Sequence, residues 1–250
     1  KTLLPQKPNS KKKMFSISSQ QKLTMNRQEL LTSFYVQKDY NTLKQKLIRS
    51  KRADELEILA QIYLIEQNYS GARKIYEQLK MPYETGRCCL LEGNLEETKK
   101  LWYSIKEETP PVLWGHHLLQ FINRYVTDIP PFFQIRSFLE VDLDALLSAK
   151  QYEYCENIIN ADDIMAQNNT ECYKFIGRVF VFHNFFDIAK IYLEKAKNVC
   201  YADPEVHFLF AKCYLANNNK HRAINSLETC LERADSYYPA KKLLSEIISG

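Results

Sequence analysis

The chain has 250 residues, 45% of them hydrophobic and 26% charged, enough for one or two domains with real cores. Only 6 Gly and 9 Pro punctuate it, too few for the many tight turns of an all-β sandwich or propeller. The net charge of +4 hides an asymmetry, because residues 1–52 carry 13 Lys/Arg against 2 Asp/Glu and residues 53–250 carry 21 against 28. A basic N-terminal region on an acidic body suits nucleic acid, an anionic membrane surface or an acidic protein; otherwise it is a solvated Lys-rich tail.

In chain order, residues 1–25 hold Pro5, Pro8, Asn9, Ser10, the Lys11-Lys12-Lys13 run and a Ser/Gln-rich stretch, and are predicted to be a disordered basic arm. From Arg27 onward apolar residues fall three and four apart: Leu30, Leu31 and Phe34, then Leu43 and Leu47, then Leu56, Leu59, Ile62 and Tyr63. That period predicts successive amphipathic helices, each too short for a coiled coil and so packed as hairpins. A short polar break, usually with a bulky residue and then a compact one, recurs. It is found at Asp39-Tyr40 with Leu43, Asn68-Tyr69 with Ala72, Asn94-Leu95 with Thr98, Gln151-Tyr152 with Cys155, Asn184-Phe185-Phe186 with Ala189, and Asn219-Lys220 with Ala223. The compact residues lie 29, 26, 57, 34 and 34 apart, a repeat length that marks a helical solenoid. Pro110-Pro111 and Pro130-Pro131 enclose one helix that fits no repeat and predict a non-standard joint. The expected organisation is a basic arm (1–25), N-terminal repeats (26–109), an irregular joint (110–130), and C-terminal repeats (131–250) closed by a capping helix from Pro239 to Ile248.

Across the last two copies, Gly177 and Ala211, Phe180 and Tyr214, Ala189 and Ala223, Leu193 and Leu227, and Ala196 and Cys230 all stand 34 apart. These residues resemble the tetratricopeptide repeat family, whose unit is two antiparallel helices with small residues where they cross. Ala60, Tyr63, Tyr69, Ala72, Tyr76 and Leu79 make a third good copy. Gly86, Cys89, Leu95, Thr98, Trp102 and Ile105 make a shortened one, and Leu31, Phe34, Tyr40, Leu43 and Leu47 a degenerate one. The resemblance implies an all-α, right-handed α-solenoid whose first helices line a concave groove.

Seven cysteines without a C-x-x-C read as reduced, buried thiols and favour a cytoplasmic setting. The most apolar stretch, Phe175 to Phe186, is interrupted by Arg178, His183 and Asn184 and is too short to span a bilayer. The chain begins at Lys1 rather than Met, so a longer or membrane-tethered parent stays open.

For catalysis, the adjacent pair His116-His117 leaves a helix on different faces and makes no metal site. His183, His207 and His221 lie in or beside repeat positions as structural or surface residues. Asp142/Asp144 and Asp162-Asp163 read as helix caps or solvated faces, and no nucleophile elbow or phosphate loop is present. No enzyme, cofactor or metal is expected. The expected function is a non-catalytic interaction scaffold or adaptor. The resemblance places Lys174, Arg178 and Phe182, then Phe208 and Lys212, on the concave face as a basic ladder beside an apolar anchor, suited to an extended peptide with an acidic group. The alternative is an accessory nucleic-acid-binding protein using Lys11, Lys12, Lys13, Lys44, Lys46, Arg49, Lys51 and Arg52. A third reading is self-association at the joint, where Trp102, Trp114, Phe132 and Phe133 are either core or an exposed patch.

Overall fold

Helix follows helix through residues 26–249, the part of the chain this computed structural model describes, and no strand occurs among them. The order is α1 (Arg27–Leu31), continued by a π-helical turn (Thr32–Gln37), α2 (Tyr40–Leu47), α3 (Ala53–Ile65), α4 (Tyr69–Gln78), α5 (Pro82–Leu91), α6 (Leu95–Ser104) and α7 (Pro110–Ile122). There follow α8 (Phe132–Ser148), α9 (Tyr152–Ile159), α10 (Asp162–Met165), α11 (Cys172–Phe182), α12 (Phe186–Val199), α13 (Pro204–Ala216), α14 (Lys220–Arg233) and α15 (Tyr238–Ser249). This is the expected all-α array of helix hairpins. The expected arm at residues 1–25 lies outside the described residues.

The recurring polar breaks are one turn used repeatedly. Lys38, Gln67, Gly93, Lys150, Asn184 and Asn218 each take a left-handed φ between 54° and 80° after a helix. At the last five, the next amide donates back five residues, as from Asn68 to the Tyr63 carbonyl at 2.8 Å and from Asn219 to Tyr214 at 2.8 Å. That closure satisfies the carbonyls a helix end leaves orphaned and reverses the chain. The following Asp39, Asn68, Asn94 and Asn219 then cap the next helix by accepting from backbone amides three residues on, at 3.0–3.2 Å. Gln151 and Phe185 follow the same turn without a side-chain cap, so the turn itself, and not the cap, is what every copy shares.

Between turns, small residues decide how closely the helices cross. Gly177 on α11 faces Leu193 on α12, and a Cβ there would meet Leu193 Cδ2 at 2.9 Å. One repeat later Ala211, Ala223, Leu227 and Cys230 are fully buried where α13 and α14 cross. In this part of the array α8, α11 and α13 lie side by side, with α12 and α14 packed behind them.

Around the joint the packing is of another kind. The Trp102 indole fills a slot between Gly86 of α5 and Gly115 of α7, where added Cβ atoms would come within 2.4 Å and 2.9 Å of its ring. Its Nε1 donates to the Tyr83 carbonyl at 2.9 Å, and its ring stacks on Tyr83. Helix α7 packs against α6, α8 and α9 and buries Val112, Trp114, Leu118, Leu119, Phe121 and Ile122. Of the four aromatics that flank the joint, both tryptophans are core, while Phe132 and Phe133 are 48% and 56% exposed.

Two carboxylates correct the reading of caps and solvated faces. Asp142 sits buried in mid-α8, accepting from Arg87 Nε at 3.0 Å and Nη2 at 2.9 Å on one oxygen and from Trp114 Nε1 at 2.8 Å on the other. Asp162 is also buried and is ion-paired to Lys195. A carboxylate can be this deep only because cationic and N–H donors replace its water.

Candidate partner-binding groove

The candidate site begins with helical spacing. Lys174, Arg178 and Phe182 stand four apart on α11, as do Phe208 and Lys212 on α13, so each set shares one face. Because α11 and α13 lie side by side, the five predicted residues share one side of the array, but they divide into two environments.

Lys174 and Arg178 belong to an ion-pair lattice. Lys174 Nζ is 2.7 Å from Asp203 Oδ2, 3.4 Å from Glu171 Oε1 and 3.8 Å from Glu205 Oε2. Arg178 reaches Glu140 Oε2 of α8 at 3.3 Å and Glu205 Oε2 of α13 at 3.2 Å. Burial disfavours the Lys174 ammonium, but the Asp203 hydrogen bond and the charges of Asp203, Glu205 and Glu171 outweigh it and hold its pKa above the ordinary value. Burial also raises the Glu140 carboxyl, with Arg178 opposing. Two of the three rungs of the expected basic ladder, Lys174 and Arg178, are thus occupied by the chain's own carboxylates and tie α8, α11 and α13 together.

Lys212 differs. Its ammonium lies 5.0 Å from the centre of the Phe182 ring, is half-buried, and has no carboxylate within ion-pair distance among the described residues. It lines a groove of about 480 Å³ between α11, α13 and α15, with Val181, Phe182, Phe208, Leu215 and Leu243 giving apolar walls and Pro239, Lys242 and Glu246 forming one rim. Phe208 is held there by the Tyr237 ring, 5.6 Å between centroids. The α15 residues Pro239, Lys242, Leu243 and Glu246 were legible as a helical face at i, i+3, i+4 and i+7, but sequence reasoning assigned that helix only to capping. The lattice acids Asp203 and Glu140 were missed because nothing local links them to residues 29 and 38 positions away.

Four of the five histidines have structural partners, and His221 is exposed. His117 Nε2 is 2.7 Å from Asp128, His183 Nε2 is 2.8 Å from Asp144, and His116 and His207 bond the carbonyls of Trp102 and Tyr201. Hydrogen bonds from Gln120 and Thr127, with His117, bring the Asp128 carboxyl down to about 2. Six of the seven cysteines are buried, and Cys200 alone is exposed, correcting the expectation of a fully buried set. Burial pushes the thiols of Cys88, Cys155 and Cys172 up to about 12 and those of Cys213 and Cys230 to about 11, which leaves them protonated near neutral pH. Among the described residues no three His, Cys, Asp or Glu side chains come together as a metal site, and no helix is long and apolar enough to cross a membrane.

No family model and no curated protein sequence matches the chain. Among solved structures it is similar to a tetratricopeptide repeat protein from Parabacteroides merdae, at 16% identity and TM-score 0.38, over 88% of this chain and 84% of that one. It is also similar to TTC0263, a thermophilic TPR protein of Thermus thermophilus, at 16% identity and TM-score 0.33, over 80% of this chain and 100% of that one. A third likeness is to a chain of the APC/C hetero-tetramer Cut9–Hcn1, at 15% identity and TM-score 0.35, over 84% of this chain but only 40% of that one.

Proposed function

We propose that the chain is a non-catalytic scaffold or adaptor that holds a peptide or partner-protein segment in the groove between α11, α13 and α15. The observation that carries this reading is Lys212, a half-buried ammonium set on an aromatic ring, at the edge of an apolar groove and without a carboxylate against it. A segment with a large apolar side chain beside an acidic group would bury the first against Phe208, Leu215 and Leu243 and bring the second to Lys212. Phe182 and Phe208 are the proposed apolar contacts. Lys174 and Arg178 hold the wall rather than the ligand, since their own carboxylates already occupy them.

Fluorescence anisotropy with an array of extended peptides, each placing Phe or Leu beside Asp or Glu, tests this. Losing a charge-assisted hydrogen bond costs ~2 kcal/mol, so Lys212→Glu is expected to weaken binding by more than about tenfold. Phe208→Ala weakens it less, and Lys174→Gln changes it little. Unchanged affinity in Lys212→Glu, or no binding across the array, would remove the reading. The nucleic-acid alternative has less support among the described residues, because Lys44 is paired with Glu66 and Arg52 with Asp54 and Glu55.

A further inference from the structure

At the opposite end of the array, four large apolar side chains face water: Leu31 at 37% exposure, Tyr35 at 59%, Val36 at 74% and Ile48 at 56%. Their neighbours in the chain are buried, Leu30 and Phe34 on α1 and its π turn, Leu43 and Leu47 on α2, so the exposed set lies outside a filled core. Arg49 shares a surface depression with Ile48, and Lys46, Arg49 and Lys51 are all exposed and stand in no ion pair with any described carboxylate. Residues 26–52 hold seven Lys/Arg against Glu29 and Asp39 alone.

Apolar exposure on α12 lacks this charge. On α12, Ile188 and Ile191 lie among charges that pair within the helix, Lys190 with Asp187 and Lys197 with Glu194, so that face is close to neutral. The N-terminal end, by contrast, combines three exposed aliphatic side chains with three unpaired cations. We infer that this end, from α1 to the residues after α2, docks peripherally on an anionic lipid surface, with Lys46, Arg49 and Lys51 at the headgroups and Val36 and Ile48 entering the boundary of the acyl region.

The apolar residues decide between a membrane and a nucleic acid. A phosphate backbone would draw the same cations, but single strands are bound through stacking aromatics, and here three of the four exposed groups are aliphatic. Aliphatic side chains gain nothing from a hydrated phosphate groove and do gain from the acyl boundary, while a tyrosine such as Tyr35 is suited to headgroup depth. Since none of the described helices can cross a bilayer, the contact is one of lying on the surface. This inference is independent of the groove reading.

The test is co-sedimentation of the full chain with phosphatidylcholine vesicles, with and without one-third phosphatidylserine, across a salt series. Binding is expected only with the anionic lipid and is expected to fall as salt rises. Each basic residue near such a surface contributes about fivefold, so Lys46→Glu/Arg49→Glu/Lys51→Glu should lower partitioning by about a hundredfold or more. Val36→Ser/Ile48→Ser should lower it by roughly tenfold, with unchanged far-ultraviolet circular dichroism in both variants. Equal binding to neutral vesicles, or binding untouched by either variant, would overturn the assignment. So would an oligonucleotide that binds the full chain, is lost in the triple variant and finds no vesicle counterpart.

Discussion

The hairpins from α11 to α14 and the region from α5 to α8 are built from the same turn but locked in opposite ways. In the first, Gly177, Ala211, Ala223 and Cys230 recur at fixed spacing and let helices meet through many small, similar contacts. In the second, one indole lies between two glycines and one buried carboxylate joins three helices, through Arg87 of α5, Trp114 of α7 and Asp142 of α8. Repeat-like packing spreads its stability over many contacts, whereas the joint concentrates it in a few side chains. Both tryptophans of the chain lie in the second region, so their fluorescence reports on the joint while circular dichroism reports on every helix.

The sharpest break in that comparison is expected from Asp142→Ala. It strands the Arg87 charge and the Trp114 N–H together, and removing one partner of a buried ion pair costs ~3–5 kcal/mol. Since Arg87 retains 29% side-chain exposure, about 3 kcal/mol is the expected loss. Arg87→Met/Asp142→Leu should lose less than the single variant, because no unpaired charge is left behind. In the C-terminal hairpins Lys174→Met should cost less, roughly 1–2 kcal/mol, because Asp203 still accepts from the Glu205 amide and Glu205 still holds Arg178, so neither carboxylate loses its last partner. Urea unfolding followed by tryptophan fluorescence for the two joint variants and by circular dichroism for Lys174→Met measures all three; equal losses for Asp142→Ala and Lys174→Met would erase the distinction.

A smaller effect separates two glycines. An alanine at Gly86 would place its Cβ 2.4 Å from Trp102 Nε1, part of a rigid ring already fixed by Tyr83, whereas at Gly177 the nearest atom is the mobile end of Leu193. Overpacking costs ~1–3 kcal/mol, and helix propensity returns roughly 1 kcal/mol to either alanine. Gly86→Ala should therefore lose about 2 kcal/mol and Gly177→Ala about 1 kcal/mol or less. Should Gly177→Ala prove the worse, the joint is not the rigid part of the molecule.

The same contrast explains what could be read from the amino-acid string. The 34-residue spacing of Gly177, Ala189 and Leu193 with Ala211, Ala223 and Leu227 is periodic, and periodicity needs only one sequence. Asp142 has partners 55 and 28 residues away and follows no period, so as a carboxylate among helical residues it looked like a solvated face. The groove was half legible for the same reason. The family resemblance put Lys174, Arg178, Phe182, Phe208 and Lys212 on one side, but only three-dimensional packing shows that Asp203, Glu205 and Glu140 hold the first two. Cys200 was misread because its burial depended on the end of α12, where the chain leaves the packed layer.

The turn itself should be indifferent to this division, and that is the last expectation. Lys150 joins α8 to α9 beside the joint, and Asn218 joins α13 to α14 in the regular part; both are left-handed, at φ 60° and 56°, where Gly93 stands at 80°. An L-residue with a long side chain is disfavoured there by ~1 kcal/mol or more, asparagine much less, while glycine fits but loses more entropy on folding. Lys150→Gly is therefore expected to stabilise the protein by roughly 0.5 kcal/mol, and Asn218→Gly by close to nothing. The order follows from side-chain type and not from region. If Asn218→Gly were instead the more stabilising of the two in urea unfolding, the turns would be coupled to the packing around them, and the view of one local device serving two kinds of core would fail.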